Sequence, residues 1–213
     1  MTTGSARDDV LARIRNALSA SPTATIEPAR GYRREGHYSP GAPQLLSQLT
    51  ERLTDYRAAV HAATPDTLAS VLEAALAGTR RVLVPPGLPG DWMPATAVID
   101  DGSLTPTELD TVDAVLTACT AAAADTGTIV LDASPDQGRR ASTLIPDRHV
   151  CVLRAAQVVQ TVPELLSRVD PRRPLTFISG PSATSDIELQ RVEGVHGPRT
   201  LIVVILSDSK ASR

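Results

Sequence analysis

Apolar residues recur at Val10, Leu11, Ile14 and Leu18, the spacing that lines one face of a helix, with Ser5 placed to cap and Asp8 in the first turn. The pattern predicts an amphipathic helix over residues 5–20. From Ser21 to Pro43 periodicity gives way to Pro, Gly and Arg, which reads as an extended arm tying that helix to the body of the protein. Leu45, Leu46, Leu49 and Leu53 restore helical spacing, and Leu68, Val71, Leu72, Ala75 and Leu76 repeat it before Gly78. A short strand candidate, Ala58 to His61, lies between these two helices.

After Gly78 the pattern changes to short apolar runs: Val82 to Val84, Thr96 to Ile99, Ala114 to Cys119, Thr128 to Leu131, Val150 to Leu153, Leu175 to Ser179 and Leu201 to Leu206. Most are continuous rather than alternating, as strands covered on both faces would be. Helical stretches near Pro106 to Asp110, Gly138 to Leu144 and Pro163 to Val169 separate several of them. Such alternation predicts one α/β domain: a central, mostly parallel sheet with helices on both faces. The expected boundaries are a helix and arm over 1–43, the α/β domain over 44–206 and a polar tail over 207–213. In such sheets ligands bind beyond the carboxyl ends of strands, so the segments after Val84, Leu131 and Ser179 are the ones to watch.

Composition narrows the chemistry. Aromatic residues make up only 2% of the chain, so the core must be aliphatic. A net charge of −3, with Arg pairs offset by scattered acids, argues against a nucleic-acid partner or an anionic membrane surface. No apolar run approaches the roughly 20 residues of a membrane span, and Arg13 and Arg15 break the only signal-like stretch, so a cytoplasmic protein is expected. Lys210 in the tail is the sole lysine, which excludes a Schiff-base or P-loop lysine from the folded body. Cys119 and Cys151 have no ligand spacing and read as buried thiols; no metal or other cofactor is expected on this chain.

The candidate chemistry concentrates in GPSATSDIELQRVEGVHGPRT, residues 180–200. Gly180, Gly194 and Gly197 allow close backbone approach, while Ser182, Thr184, Ser185, Asp186, Glu188, Glu193, His196 and Arg199 bring hydroxyls, carboxylates, an imidazole and a guanidinium into one connection. Asp186, Glu193 and His196 are the candidate acid–base or nucleophilic groups; Gly180, Ser182, Thr184 and Arg199 are the candidate substrate contacts, with Arg199 facing a carboxylate. The bland reading is that Asp186 or Ser182 caps a short helix and the glycines make turns. A second, weaker candidate is Gln137-Gly138-Arg139-Arg140, where Gln137, Gly138 and Arg139 could hold a carboxylate or phosphate; an exposed basic turn is the simpler alternative. His149 and His37 have no visible partner and read as structural. No dinucleotide, P-loop, nucleophile-elbow or zinc-protease motif is present.

The runs ADTGTIVL, QGRRASTLIPDRHVCVL, QTVPELL and FISGPSATSDIELQRVEGVHGPRTLIVVIL resemble the lactate-utilisation protein C (LutC) family within the LUD-domain group. They span most of residues 124–206, and the last is the most specific in order and spacing. The resemblance implies a fold similar to that of sugar-phosphate isomerases and coenzyme A transferases (NagB/RpiA-like). It also implies membership of a three-part bacterial system that oxidises L-lactate to pyruvate, whose other two members are iron–sulfur proteins. On that footing the chain is expected to be a non-redox subunit binding a small anionic metabolite. The alternative is an enzyme of acyl- or coenzyme A-transfer character using Glu188 or Glu193 as a carboxylate nucleophile.

Overall fold

In a computed structural model of the chain, the described residues are 5–19, 27–184, 192–193 and 197–207. Contacts divide the chain into two units, residues 1–32 and 33–213. The first contains α1 (Ala6–Ser19), which begins with Asp8 and Asp9 in its first turn and exposes the apolar stripe Val10, Ile14 and Leu18.

The second unit is the α/β body. It runs through α2 (Pro43–Asp55), β1 (Ala59–Ala63), α3 (Leu68–Ala75), β2 (Val82–Val84), β3 (Ala97–Ile99), α4 (Pro106–Asp110), β4 (Ala114–Thr117), β5 (Ala121–Ala123) and β6 (Thr128–Leu131). It continues through α5 (Arg140–Leu144), β7 (Arg148–Arg154), β8 (Val158–Val159), α6 (Val162–Leu166), β9 (Thr176–Ile178), β10 (Ala183–Thr184), β11 (Val192–Glu193) and β12 (Thr200–Leu206).

Six strands form a parallel sheet in the order β1-β12-β7-β4-β2-β3. Because successive side chains point to opposite faces, each apolar run feeds two cores at once. Val82, Val84, Leu116, Val150, Val152 and Val204 pack with Leu68 and Leu72 of α3 on one face. Cys151, Leu153, Leu201, Val203 and Ile205 pack with Leu45, Leu49 and Leu53 of α2 on the other. Farther along that second face, Leu83 and Val115 meet Leu109 of α4 and Ala141 at the start of α5. The expected parallel sheet with helices on both faces is therefore present.

Two apolar runs expected to join that sheet do not. Thr128–Leu131 (β6) and Thr176–Ile178 (β9) pair antiparallel with each other in a second sheet of order β8-β5-β6-β9, which packs through Ala122, Ile129, Leu131 and Val158 onto the α2 face. A continuous apolar run announces burial on both faces but does not name the neighbour, so the pattern could not separate the two sheets. The Ala121–Ala123 strand was invisible because alanine has little strand preference; here its small side chains suit a site with no exposed surface.

The arm from residue 33 onward is fastened to this second sheet by hydrogen bonds. Gly36 N–H donates to Glu164 Oε1 at 3.1 Å, His37 N–H to Gln160 Oε1 at 2.6 Å, and Gly41 N–H to the Val158 carbonyl at 2.9 Å. Thr161 and Glu164 also form a reciprocal capping box that starts α6, as Thr105 and Glu108 do for α4. Cys119 and Cys151 are buried free thiols, and a hydrogen-bonding interaction of the neutral Cys119 thiol with Cys151, together with burial, pushes the Cys119 pKa up, so its thiolate is disfavoured.

Candidate functional site

Hollows lined by described residues differ in what their cations are doing. One, about 450 Å³ beside α3, includes Arg148, but that guanidinium donates to the carbonyls of Ala75 and Ala77 at 3.4 and 3.2 Å. A second, about 380 Å³, contains Glu73 and Asp91 and no basic residue, a poor setting for an anion. A third, about 300 Å³ at the carboxyl ends of β2 and β3, contains Gly138 and Arg139. There Arg139 Nε and an Nη donate to Asp100 at 3.0 and 3.2 Å, and the same Nη reaches the Leu104 carbonyl at 2.6 Å.

Asp100 is buried, which works to raise its pKa, yet hydrogen bonds from Arg139 and Ser142 outweigh that and hold the carboxyl below its usual range. The Arg139 fork is thus committed to structure. Gln137 is committed as well: its Oε1 accepts from the Asp132 N–H at 2.7 Å and its Nε2 donates to Thr120 Oγ1 at 3.0 Å. Neither side chain is available in this geometry for the anion-holding task that the Gln137-Gly138-Arg139 motif suggested.

A fourth cavity, about 330 Å³, lies where the second sheet, α5 and the return to β12 meet. Its wall includes Arg140, Thr143, His149, Ser179, Gly180 and Ser182. The connection at Ser179-Gly180 can turn because Gly180 has φ +104°, a conformation that side chains resist, and an added Cβ would lie 2.7 Å from the Tyr56 Cβ. Ser182 N–H donates to the Pro198 carbonyl at 2.8 Å, closing the neck of the 180–199 segment. Beyond that neck β10 and β11 pair antiparallel, with Ala183 opposite Glu193 and Thr184 opposite Val192.

Gly180, Ser182 and Gly197 therefore meet at one cavity, and Thr184 and Glu193 are carried on the adjoining ribbon. Asp186, Glu188 and His196 lie outside the described residues. The segment does leave the carboxyl end of β9, but β9 belongs to the second sheet. Against the parallel sheet the cavity abuts the amino-terminal parts of β7 and β12, at His149 and Leu201. Arg199 is held by Asp147, with Nε to Oδ1 at 2.5 Å and Nη2 to Oδ2 at 2.9 Å, a bidentate pair that lowers the Asp147 pKa.

Sequence reasoning misassigned two members of this wall: within Gln137-Gly138-Arg139-Arg140 it gave the anion to Gln137, Gly138 and Arg139 rather than to Arg140, and it read His149 as structural. Arg140 is exposed, and its side chain makes no hydrogen bond or ion pair with the described residues; only its carbonyl accepts, from Thr143 Oγ1 at 3.1 Å. The adjacent Arg139 has the same side chain and opposite availability, a distinction only the fold makes. His149 is 1% exposed, and its Nε2 lies 2.8 Å from Thr117 Oγ1. Burial lowers its pKa to about 4, so the imidazole is neutral at pH 7.

The LUD domain family matches residues 93–206, a span that includes α5, β7, β9 and β12 and hence every one of these wall residues. The chain belongs to the LUD-domain family. Among its relatives, lactate utilization protein C of Deinococcus radiodurans is 43% identical over 96% of this chain and 97% of that protein. Lactate utilization protein C of Bacillus subtilis is 31% identical over a local stretch, 40% of this chain and 38% of the relative. The crystal structure of a DUF162 family protein from Deinococcus radiodurans shares 40% identity and superposes with a TM-score of 0.66, covering 76% of this chain and 96% of that one. The LUD-domain match thus takes in both the parallel sheet's central strands and the cavity at their amino ends.

Proposed function

We propose that this LUD-domain protein serves in lactate utilisation, as a non-redox component that binds a small carboxylate such as L-lactate or pyruvate and works with iron–sulfur partner proteins. The observation that carries the ligand class is the cavity with Arg140 at its wall. It is a hollow of about 330 Å³, whose wall combines Thr and Ser residues and two glycines with apolar residues such as Leu144, Ile178 and Leu201, and whose guanidinium has no carboxylate from the described chain to satisfy it. A guanidinium presents a planar fork that matches a carboxylate, and an unpaired one beside a concave surface is a ready anion site. The near-full-length likeness to a lactate utilization protein C supports the biological setting.

Two cysteines that face each other in the core supply too few thiolates for a cluster of this chain's own, in keeping with redox work being done elsewhere. The reading assigns Gly180 and Ser182 to the ligand's surroundings, and keeps Asp186, Glu193 and His196 as the polar groups of the adjoining segment. The test is complementation of a strain that lacks this protein, with L-lactate as sole carbon source. Arg140→Gln should abolish growth while leaving the thermal midpoint near that of the parent. Arg140→Lys, which keeps charge and loses the fork, should restore it only in part. Normal growth of both variants would sink the assignment of the cavity. Co-purification with the iron–sulfur proteins, followed by lactate oxidation with and without this chain, tests the partnership separately.

A further inference from the structure

The imidazole of His149 is, beside the Arg140 guanidinium, a second polar group of this cavity that the described residues leave incompletely paired. It sits at the second position of β7, beside Val115 of β4 and Leu201 of β12, so backbone pairing on both sides fixes its place. At 1% exposure the ring is out of reach of bulk water, yet it forms part of the cavity wall. Thr117 Oγ1, on the same face of β4 and fully buried, is its single hydrogen-bond partner among the described residues, at 2.8 Å from Nε2.

The hydroxyl decides the tautomer. Among the described residues Thr117 has no other acceptor for its proton, so when it donates to Nε2 only one polar group is left over, the Nδ1–H. If Nε2 instead carried the proton and donated to Thr117, both the threonine proton and the Nδ1 lone pair would be stranded. Buried polar groups are overwhelmingly paired, so the arrangement with one orphan prevails over the arrangement with two. That orphan is a donor, and a ligand in the cavity is what can satisfy it.

Resting on the carboxylate reading above, we propose that His149 is a ligand-binding residue whose neutral Nδ1–H donates to an uncharged oxygen of the bound acid while Arg140 holds the carboxylate. The two groups differ in setting. Arg140 is exposed and charged, whereas His149 is enclosed, uncharged and without a cation beside it among the described residues. A carboxylate placed against the enclosed imidazole would be stripped of water with one neutral donor in return; a keto or hydroxyl oxygen would not suffer that loss. The ligand class is therefore a short acid carrying a second oxygen near the carboxylate, a 2-oxo or 2-hydroxy acid, and Thr117 is a positioning residue that holds the imidazole in its donor form.

The experiment uses the full chain with pyruvate and with propanoate, which has the same carbon skeleton without the second oxygen. Titration calorimetry should show pyruvate binding at least tenfold more tightly than propanoate. His149→Gln and Thr117→Val should each shrink that ratio severalfold while retaining binding of propanoate. In the unaltered protein, the nitrogen-bound Nδ1 proton of His149 should shift in the NMR spectrum on addition of pyruvate and stay in place with propanoate; this measurement needs no variant to fold. If Arg140→Gln abolishes pyruvate binding but the Nδ1 proton is indifferent to pyruvate and the two acids bind alike, the carboxylate site stands and the role of His149 falls. If neither acid binds the unaltered protein, both readings are overturned.

Discussion

At the scale of single residues, the same side-chain type takes opposite tasks according to its neighbours. Arg139 and Arg140 are adjacent, yet one is spent on a buried carboxylate and the other is unpaired at a cavity. Removing Arg139 strands Asp100, which is 6% exposed, so Arg139→Met should cost about 2 kcal/mol in chemical denaturation, a figure discounted because the arginine itself is partly solvated. Arg140→Met should change stability by less than about 0.5 kcal/mol.

His149 makes a second residue-scale prediction, from pH. Its folded pKa is about 4 against an ordinary 6.5, so below 6.5 the unfolded chain takes up a proton that the folded chain refuses. Stability is unaffected above pH 6.5, falls by about 1.4 kcal/mol per unit as pH drops toward 4, and loses roughly 3 kcal/mol in all. Asp100, Asp132, Asp147 and Glu164 have lowered pKa values and surrender their contribution only below the ordinary carboxyl range. Asp136, raised by burial, acts in the opposite sense just above 3.8. Denaturation midpoints measured between pH 6.5 and 4.5 should therefore fall in the parent and flatten in His149→Gln. An unchanged slope in that variant would show that His149 is not the group titrating.

At the scale of elements, short helices here rely on caps because they are too short to sustain themselves. Glu164 illustrates how one carboxylate can serve two elements. It accepts from the Thr161 and Gln160 N–H groups and the Thr161 hydroxyl at the start of α6, and from Gly36 in the arm. Glu164→Ala should lower stability by about 2 kcal/mol and expose the arm to trypsin at Arg33 and Arg34. Thr161→Ala, which removes the cap hydroxyl and its 3.3 Å contact to the Arg34 carbonyl but leaves the carboxylate's bond to Gly36, should cost about 1 kcal/mol and expose the arm less than Glu164→Ala does. Equal protease sensitivity in both variants would mean that Glu164 does not fasten the arm.

Elements were also the scale at which the sequence was most legible. Val82–Val84, Thr128–Leu131 and Pro106–Asp110 occur with the bounds their patterns predicted, and α2 and α3 follow their leucine spacing. What periodicity could not carry was partner choice: β6 and β9 look like strands of the parallel sheet and pair elsewhere. The candidate site was legible as a region, since Gly180, Ser182 and Gly197 do meet at a cavity. It was not legible as a set of roles, because Arg199 pairs with Asp147, 52 positions away, and His149 acquires its cavity from segments remote in the chain. Local spacing contains no information about such contacts.

At the scale of the whole α/β body, the cavity exists only because two sheets are packed together. Its wall takes His149 and Leu201 from the parallel sheet, Thr176 to Ile178 from the second sheet, and Arg140, Thr143 and Leu144 from α5. Unfolding separates these elements, so a ligand held there binds the folded state alone and must raise its stability by mass action. At one hundred times its dissociation constant the gain is about 2.7 kcal/mol, and a chain of this size shifts its thermal midpoint by about 2–4 °C per kcal/mol. Saturating pyruvate should therefore raise the midpoint of the parent by about 5–10 °C, and sodium chloride at equal ionic strength should not. The increase should vanish in Arg140→Gln, because the carboxylate then has no fork to meet at the cavity. If pyruvate raises both midpoints equally, it acts on the solvent or at another surface, and the cavity between the sheets is a packing defect rather than a binding site.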